Sequence, residues 1–577
     1  MVKNVKKVDR YASKQLSKNS NAEYLDNHNK ITKIMELGIS FLKQLTEKNR
    51  IYIFIFIIYF IPRIIDIGTD IYNFDAILWY ERGPNFIEAI LTGNLTETYQ
   101  QYHPGVTLMW ITGIPLTVYK YLFELKFGFS PFLYANHFRL LQISVLLPLM
   151  TVYAFIGTAL FHYLKRLTNI KYSIIFSILL SLEPFYLGIS RFLHVTGLLA
   201  IFSVLSTIIL LNYIKEQKNR DLIIFSIVTG FAMLTKINAI VFWGLNILVL
   251  FGFYIFIKKD KINAFKNTVK SGLITVGTYI LLWPTMWVNP IETIQKIIND
   301  GVLKTAIEDN AETPIKSLLG LKYLYYTEIN FYRLSGLLTI LIISSIFLYL
   351  YKRKQINIFL AQNIWLKNLL FIALIYYFVY YISLSIPTKL KDRYIVVYIP
   401  YLVLIASLTY YYLLEIFSYK LKKILIVSTI LYYLFIGWVN YPVYSFYYSE
   451  LLGGAKGITS LGYNVINRGE YYIQAANYLN SIEGVNPESL NVISYGGSII
   501  ITFEPAFQGK AINKAGFLLD NEDGDYWLSL YEHLDYVPYD YCTLEKTFGP
   551  RWPLQFNILN LYECKGIDNT YRDPKAD

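Results

Sequence analysis

Apolar stretches long enough to cross a bilayer recur from Ile51 to Asn440. A chain written this way must satisfy its own backbone inside helices, because lipid offers no hydrogen-bond partners. IYIFIFIIYFIPRIIDI (51–67) is the first such stretch. Further spans are read at 139–164, 171–190, 193–214, 221–236, 239–257, 271–288, 332–352, 363–386, 394–415 and 424–440. The spacing therefore predicts a mainly α, polytopic helix bundle of about 11 spans. Only 16% of the 577 residues are charged, where a soluble chain carries roughly a quarter. The net charge of +12 is of the kind that cytoplasmic loops supply by the positive-inside rule, so no nucleic-acid partner is inferred. Lys165, Arg166 and Lys171, then Lys215, Lys218 and Arg220, then Lys258–Lys261, Lys352–Lys354 and Lys420–Lys423 read as cytoplasmic. So does the Lys-rich tail 1–50. Segment 105–123 is apolar enough to span, but crossing there would invert every later basic loop. It is read as re-entrant or interfacial. The protein is thus expected to be a multi-pass cell-membrane protein with a cytoplasmic N-terminus and an extracytoplasmic C-terminal domain.

Within that apolar frame, residues 67–138 form the first outer loop, and its part from Asp70 to Trp110 is unusually charged. Asp75, Glu81, Arg82, Glu97 and His103 fall among Trp79, Phe86, Tyr99 and Tyr102. Ionisable residues between apolar spans are costly against lipid and mark a cavity or the water interface. The plain alternative is a solvated loop; the His-Pro-Gly turn and the interleaved aromatics argue for a packed one. The same outer side carries SRFLH (190–194), LTK (234–236), WPTMWVNP (283–290) and PTKLKDRYIVVYIP (387–400). Taken singly, each Lys or Arg reads as snorkelling to the interface. Together, separate loops bring cations to the face where the first loop brings a carboxylate. That layout suits a lipid-phosphate substrate, with cations on the phosphate and a carboxylate as general base on an incoming hydroxyl. Asp75 is the candidate base. Arg191, His194, Lys236, Lys391 and Arg393 are candidates for the phosphate, with Lys389 beside them, and Trp79, Arg82 and His103 for the substrate cavity.

After Tyr441 the sequence turns mixed polar and apolar, with Gly-Gly pairs at 453–454 and 496–497. GEYYIQAANYLNSI (469–482) has helical periodicity; LNVISYG (490–496) and LQFNILNLYEC (554–564) alternate like strands. A small extracytoplasmic α/β domain is expected over 441–577. Its two cysteines, Cys542 and Cys564, fit either a disulfide or two buried thiols.

These segments, in this order, resemble the polyprenyl-phosphate-dependent glycosyltransferases of the GT-C superfamily. The likeness is closest to the prokaryotic branch related to protein O-mannosyltransferases and to the aminoarabinose transferase of lipid A. The carrying motifs are DAILWYERGPNFIEAI with YHPGVTLMW, SRFLH, LTKINA, WPTMWVNP, KLKDRYIVVYIP, YPVYSFYYSELLGGA and EYYIQAANYLN, over most of 55–480. Two positions depart from the family pattern. Ala76 follows Asp75 where the family has a Glu, and Val195-Thr196-Gly197 follows His194 where it has Thr-Asp-Ala. The resemblance implies a GT-C-type membrane domain over 51–440. It also implies inverting transfer of a sugar, such as the hexose mannose, from a polyprenyl-phosphate donor to a protein or glycolipid acceptor outside the cytoplasm. No cofactor is required for this, and a divalent metal is left open. Two other readings stand beside it. One is an inactive relative that binds polyprenyl lipids, supported by the two lost carboxylates. The other is a lipid transporter, whose inverted repeats and midplane charges are not seen.

Overall fold

The computed structural model describes residues 49–131, 135–304, 322–387, 390–494, 501–513 and 524–565. The N-terminal tail, Lys389 and the Gly-Gly pair at 496–497 lie outside the described residues. The chain divides into a unit of residues 1–57 and one of residues 58–577. In the first, residues 49–57 are helical; this helix, α1 (49–64), runs on into the second. There follow α2 (Phe74–Leu91), α3 (Val106–Phe127), α4 (Phe138–Leu167), α5 (Ile170–Leu182), α6 (Pro184–Arg191), α7 (Val195–Glu216), α8 (Asn219–Thr235), α9 (Ala239–Gly252, prolonged by wider turns over Phe253–Lys258) and α10 (Lys261–Leu282). After short helical segments at Thr285–Val288, Pro290–Lys296 and Ile297–Lys304 come, among the described residues, α11 (Tyr325–Arg333), α12 (Gly336–Gln362), α13 (Ile364–Ser385), α14 (Ile399–Ile416) and α15 (Tyr419–Asn440).

Among the described residues, eight helices are long and apolar enough to cross a membrane, or nine if α5 and α6 count as one bent span. The difference from the expected eleven has local causes. Described residues give α1 only 16 positions, α8 has 17 residues, and α10 opens on Lys261, Lys266 and Lys270. The 171–190 span is bent by 62°, where Pro184 starts a new helix and cannot continue the hydrogen-bond ladder of α5. In the other direction, α3 passes on length, at 22 residues.

Contacts sort the helix termini into two ends. At one, Arg166 of α4 bonds Glu216 of α7 at 2.7 Å and Asp221 of α8 at 2.9 Å, and Lys171 meets Glu415 of α14 at 3.3 Å. At the other, Arg191 of α6 donates to the carbonyl of Ile65, just past α1, at 2.7 Å. Lys236, just past α8, reaches Thr196 of α7 at 3.5 Å. Both termini of α3 touch this second end. Gly105 N–H bonds the Thr235 carbonyl at 3.2 Å, and Phe123 and Phe127 pack on His137, just before α4. So α3 lies along one end of the bundle despite its span-like length. Helix α2 crosses it where Gly83 faces Gly113; a Cβ on Gly113 would meet the Gly83 carbonyl oxygen at 2.6 Å, so two glycines let the backbones touch.

Helix α7 is the core: every residue from Val195 to Tyr213 is buried. Such all-round burial is what an all-round apolar helix requires. The chain after α15 packs back on the same end that holds α3. Gly188 of α6 has Ser445 N only 2.2 Å from its would-be Cβ, and Ile71 pairs with Glu470 in an isolated antiparallel bridge. Beyond it, helix α16 (Tyr472–Leu479) occupies the amphipathic stretch. A five-stranded sheet follows, built from β1 (Asn491–Ser494), β2 (Lys510–Asn513), β3 (Tyr526–Leu530), β4 (Cys542–Phe548) and β5 (Leu559–Cys564). Its order is β2-β1-β3-β5-β4, parallel through β2, β1 and β3 and antiparallel through β3, β5 and β4. Only the second half of 554–564 is strand, because the β4–β5 ladder ends at Phe548–Leu559. Cys542 and Cys564 face each other across that ladder and are joined in a disulfide, their Cα atoms 4.1 Å apart.

Candidate active site

Asp75 stands in the first turn of α2, placed there by Asn73, whose side chain caps the helix by accepting from Ala76 N–H at 3.0 Å. Its carboxylate is ion-paired with Arg393. Arg393 lies on a tight helical turn, Asp392–Val397, that leads into α14. Burial pushes the Asp75 carboxyl up, but the Arg393 guanidinium outweighs it, with Lys236 adding to the effect, and the carboxyl is held down to about 2. The carboxylate is therefore ionised at neutral pH. Arg393 keeps its Nε buried without a hydrogen-bond partner, so one donor of the fork is unspent.

His194 and Lys236 arrive from neighbouring helix ends. His194 caps α7, its Nδ1 accepting from Thr196 N–H at 3.2 Å. Nδ1 is thus the acceptor nitrogen. Burial, reinforced by Arg393, holds this imidazole well below its ordinary value, so it is neutral. Lys236 follows α8 directly and is buried; its Nζ lies over the Tyr394 ring at 5.1 Å. Thr196, at the position where the likened family has Asp, offers Lys236 a hydroxyl instead of a carboxylate.

The His-Pro-Gly turn is clamped to the same place. Gly105 adopts φ +60, and an added Cβ would lie 2.0 Å from the Trp79 ring, so only glycine fits. Its N–H bond to Thr235 sets the turn beside Lys236. Thr107 donates to the Phe231 carbonyl at 2.9 Å, which pins the start of α3 along α8. His103 is half-buried against Tyr102, ring centroids 4.3 Å apart. Arg82 spans α2 and the turn: its guanidinium covers Trp79 at 4.9 Å and donates to Gln101 at 2.9 Å. Lys391, half-buried, stands just before the Asp392 turn, with its backbone beside Tyr326.

Two placements differ from the sequence expectation. Arg191 does not join the group. It is fully buried, and its three guanidinium nitrogens go to Asp70 at 2.7 Å and to the carbonyls of Pro62 and Ile65 at 2.5 and 2.7 Å. It locks α6 to the end of α1, as a buried cation must when a carboxylate and carbonyls can satisfy it. Asp392 is more than a counter-charge to its lysine neighbours. Its carboxylate takes Arg333 at 2.6 Å, Arg468, and the N–H of Arg393 at 2.7 Å. Burial would raise this carboxyl, but Arg468 and Arg333 hold it far below the usual range. Arg468 is in turn paired with buried Glu470. Arg333, Arg468 and Glu470 were not singled out in the sequence; Arg468 and Glu470 flank a glycine at φ +99 in what reads as an ordinary polar turn. Among the described residues no group of three or more His, Cys, Asp or Glu side chains is placed to hold a metal ion. Two open cavities lie elsewhere, one at the opposite end and one on α12.

A family model described as dolichyl-phosphate-mannose-protein mannosyltransferase matches residues 133–287. The matched stretch contains SRFLH, LTK and the first part of the Trp-Pro segment, WPTMW. It bears out the resemblance to the membrane glycosyltransferases that use polyprenyl-phosphate sugar donors. Among solved structures, the chain is similar to ArnT from Cupriavidus metallidurans bound to undecaprenyl phosphate, at TM-score 0.46 and 11% identity, covering 90% of this chain and 98% of that one. It is also similar to the Archaeoglobus fulgidus oligosaccharyltransferase AglB in complex with an inhibitory peptide and a dolichol-phosphate, at TM-score 0.40 and 10% identity, covering 84% and 69%. No curated protein matches the chain.

Proposed function

We propose that the protein is an inverting glycosyltransferase that moves a sugar, a hexose such as mannose, from a polyprenyl-phosphate donor to a hydroxyl of an extracytoplasmic protein or glycolipid. The site end of the bundle then faces outward, and the basic far end faces the cytoplasm. The observation that carries this reading is the ion pair of Asp75 with Arg393, with the charge of Lys236 bearing on the same carboxylate. Three helix ends and one turn supply these groups, and a carboxylate beside cations is what a phosphate leaving group and a hydroxyl nucleophile require. The family match over 133–287 supports the class of donor.

In this reaction Asp75 takes the proton of the acceptor hydroxyl. The acceptor oxygen forms a bond to the anomeric carbon as the bond from that carbon to the phosphate oxygen breaks. The electron pair leaves on the lipid phosphate, whose second negative charge is met by Arg393 and Lys236. Attack from the face opposite the leaving group inverts the anomeric centre. His194 is neutral and can donate to a phosphate oxygen without a charge of its own. Trp79, Arg82 and His103 line the side on which the sugar lies, and Lys391 stands outside as a second cation. Arg191 is retained only as a brace.

The test is a panel of polyprenyl-phosphate sugars offered to purified protein in detergent, with release of the lipid phosphate detected. Wild type should release it with one donor, and Asp75→Asn should lower the rate by about 10²–10⁴-fold while still binding that donor. Equal turnover by Asp75→Asn overturns the assignment. Donor binding without release by wild type, with every acceptor tried, favours the inactive lipid-binding relative; Ala76 and Thr196 in place of the family's acidic residues are the feature behind that second reading.

A further inference from the structure

At the far end of the bundle, between the ends of α4 and α7 and the start of α8, lies a cavity of about 220 Å³ lined by His162, Tyr163, Arg166, Lys218, Arg220 and Asp221. Helix α7 runs from His194 at the site to Glu216 beside this cavity, which is 22 residues, or ~33 Å at 1.5 Å per residue. That is about one hydrocarbon thickness, so the cavity sits at the opposite membrane interface and is no part of the candidate active site.

Its charges do not balance. The nearby carboxylates are Glu216 and Asp221. Arg166 takes both, at 2.7 and 2.9 Å, and Lys218 takes Glu216 again at 2.6 Å. Lys215 spends its ammonium on the carbonyls of Arg166 and Leu167, at 2.7 and 2.9 Å, which closes the end of α4. Arg220 has no ion-pair partner among the described residues. The cations Lys165, Arg166, Lys215, Lys218 and Arg220 thus outnumber the two carboxylates, and Arg166, Lys218 and Arg220 border open space. Arg166 is already fixed by its carboxylates; Lys218 and Arg220 are exposed and can turn inward. A basic pocket between helix ends at an interface suits the phosphate of a lipid headgroup, with Arg220 forming the bidentate contact that a guanidinium offers.

We propose that this cavity binds a phosphate-bearing anion at the far interface, its source being the headgroup of an anionic phospholipid of that leaflet. Arg220 and Lys218 hold the phosphate, and Arg166 forms the floor. The bound headgroup fixes the turn between α7 and α8, the two helices that carry His194 and Lys236 at their other ends.

The experiment is native mass spectrometry of delipidated full-length protein reloaded with dioleoyl phosphatidylglycerol, with dioleoyl phosphatidylcholine, whose phosphate is offset by its own quaternary ammonium, as the zwitterionic comparison of zero net charge. Wild type should retain one phosphatidylglycerol in preference to phosphatidylcholine. Lys218→Gln with Arg220→Gln should weaken that retention by about tenfold or more, since each basic residue near the surface contributes on that order. Both residues are exposed, so the core is untouched. A control that neutralises Lys420 and Lys423, exposed at the start of α15, should retain the lipid. Displacement of the lipid by millimolar inorganic phosphate, lost in the double variant, supports recognition of the phosphate itself. Equal retention of the two lipids, or equal loss in the control, overturns the proposal, as does undiminished retention in the double variant.

Discussion

Asp392→Asn and Asp75→Asn remove the same charge from neighbouring parts of one site and should differ sharply in stability. Asp392 has a side-chain exposure of 2%, and its partners Arg333 and Arg468 are at 1% and 8%. Taking away this carboxylate leaves two guanidinium groups, with only Glu470 to answer them, out of water. Breaking a buried pair by removing one partner costs about 3–5 kcal/mol. Asp75 is 38% exposed and Arg393 16%, and a pair that open to solvent contributes about 0–1 kcal/mol. In detergent, at one fixed scan rate, Asp392→Asn should therefore melt several degrees below wild type, and Asp75→Asn within about a degree of it. Activity should fall in both, but for different reasons. Asp392→Asn leaves the N–H of Arg393 a weaker, uncharged acceptor that Arg333 and Arg468 no longer hold as firmly, and so weakens donor binding, which appears in KM as well as in kcat. Asp75→Asn removes the base and appears in kcat. Equal melting shifts, or a normal KM in Asp392→Asn, refute the idea that this carboxylate is the fixed post on which Arg393 turns.

Arg393→Gln removes the largest influence that lowers the Asp75 carboxyl, so burial raises it from about 2. Because the base must be ionised, the acid limb of the kcat/KM profile for the donor, which reports the donor-free enzyme, should move to higher pH; an unmoved limb rules Arg393 out as the cause. The paired carboxylate also adds stability that is complete above the unfolded Asp value and is lost as pH falls toward 2. Gly105→Ala drives a methyl group into the Trp79 ring and forces a positive φ, at a cost of about 1–3 kcal/mol; turnover should drop without loss of expression, and normal turnover contradicts the clamp on the His-Pro-Gly turn. Cys542→Ser with Cys564→Ser opens a disulfide whose cysteines are 22 positions apart, which should cost about 3 kcal/mol. Limited proteolysis should then cut first in the β4–β5 region, and an unchanged pattern denies the bridge its role.

Much of this was legible because membrane sequence obeys few rules. Span-length apolar runs and the positions of lysines fixed the bundle and which helix ends lie together, and the Asp75, His194, Lys236 and Arg393 grouping followed from the cost of placing charge against lipid. Arg191 misled for the same reason. A cation at a helix end reads alike whether it faces a substrate or a buried carboxylate, and only folding brings Asp70, 121 positions away, against it. Arg468 was missed because its partner Asp392 is 76 positions off and its own surroundings look like an ordinary polar turn. The length of α3 pointed to a crossing. Its direction was set by two local contacts, Gly105 on Thr235 and Phe123 on His137, while the charge parity of the later loops had already argued against a crossing.

The two neighbours Asp392 and Arg393 divide the work of the proposed site. Asp392 is held on three sides and cannot move without exposing buried charge. Arg393 borrows that fixed backbone through its N–H while its guanidinium stays partly solvated and paired with Asp75. A carboxylate at about 2 is a poor general base at neutral pH, since efficient proton transfer favours a group that titrates nearer the working pH. An arriving sugar-linked lipid phosphate, a diester with one negative charge, competes with Asp75 for the same guanidinium. As Arg393 turns toward the phosphate, Asp75 keeps its burial but loses its main cation, and burial alone raises its affinity for a proton. Under the proposed reaction, the donor thereby strengthens the base that acts on the acceptor. In the donor-free site of this proposal the paired carboxylate stays a weak base, and it gains strength only where there is a sugar to transfer.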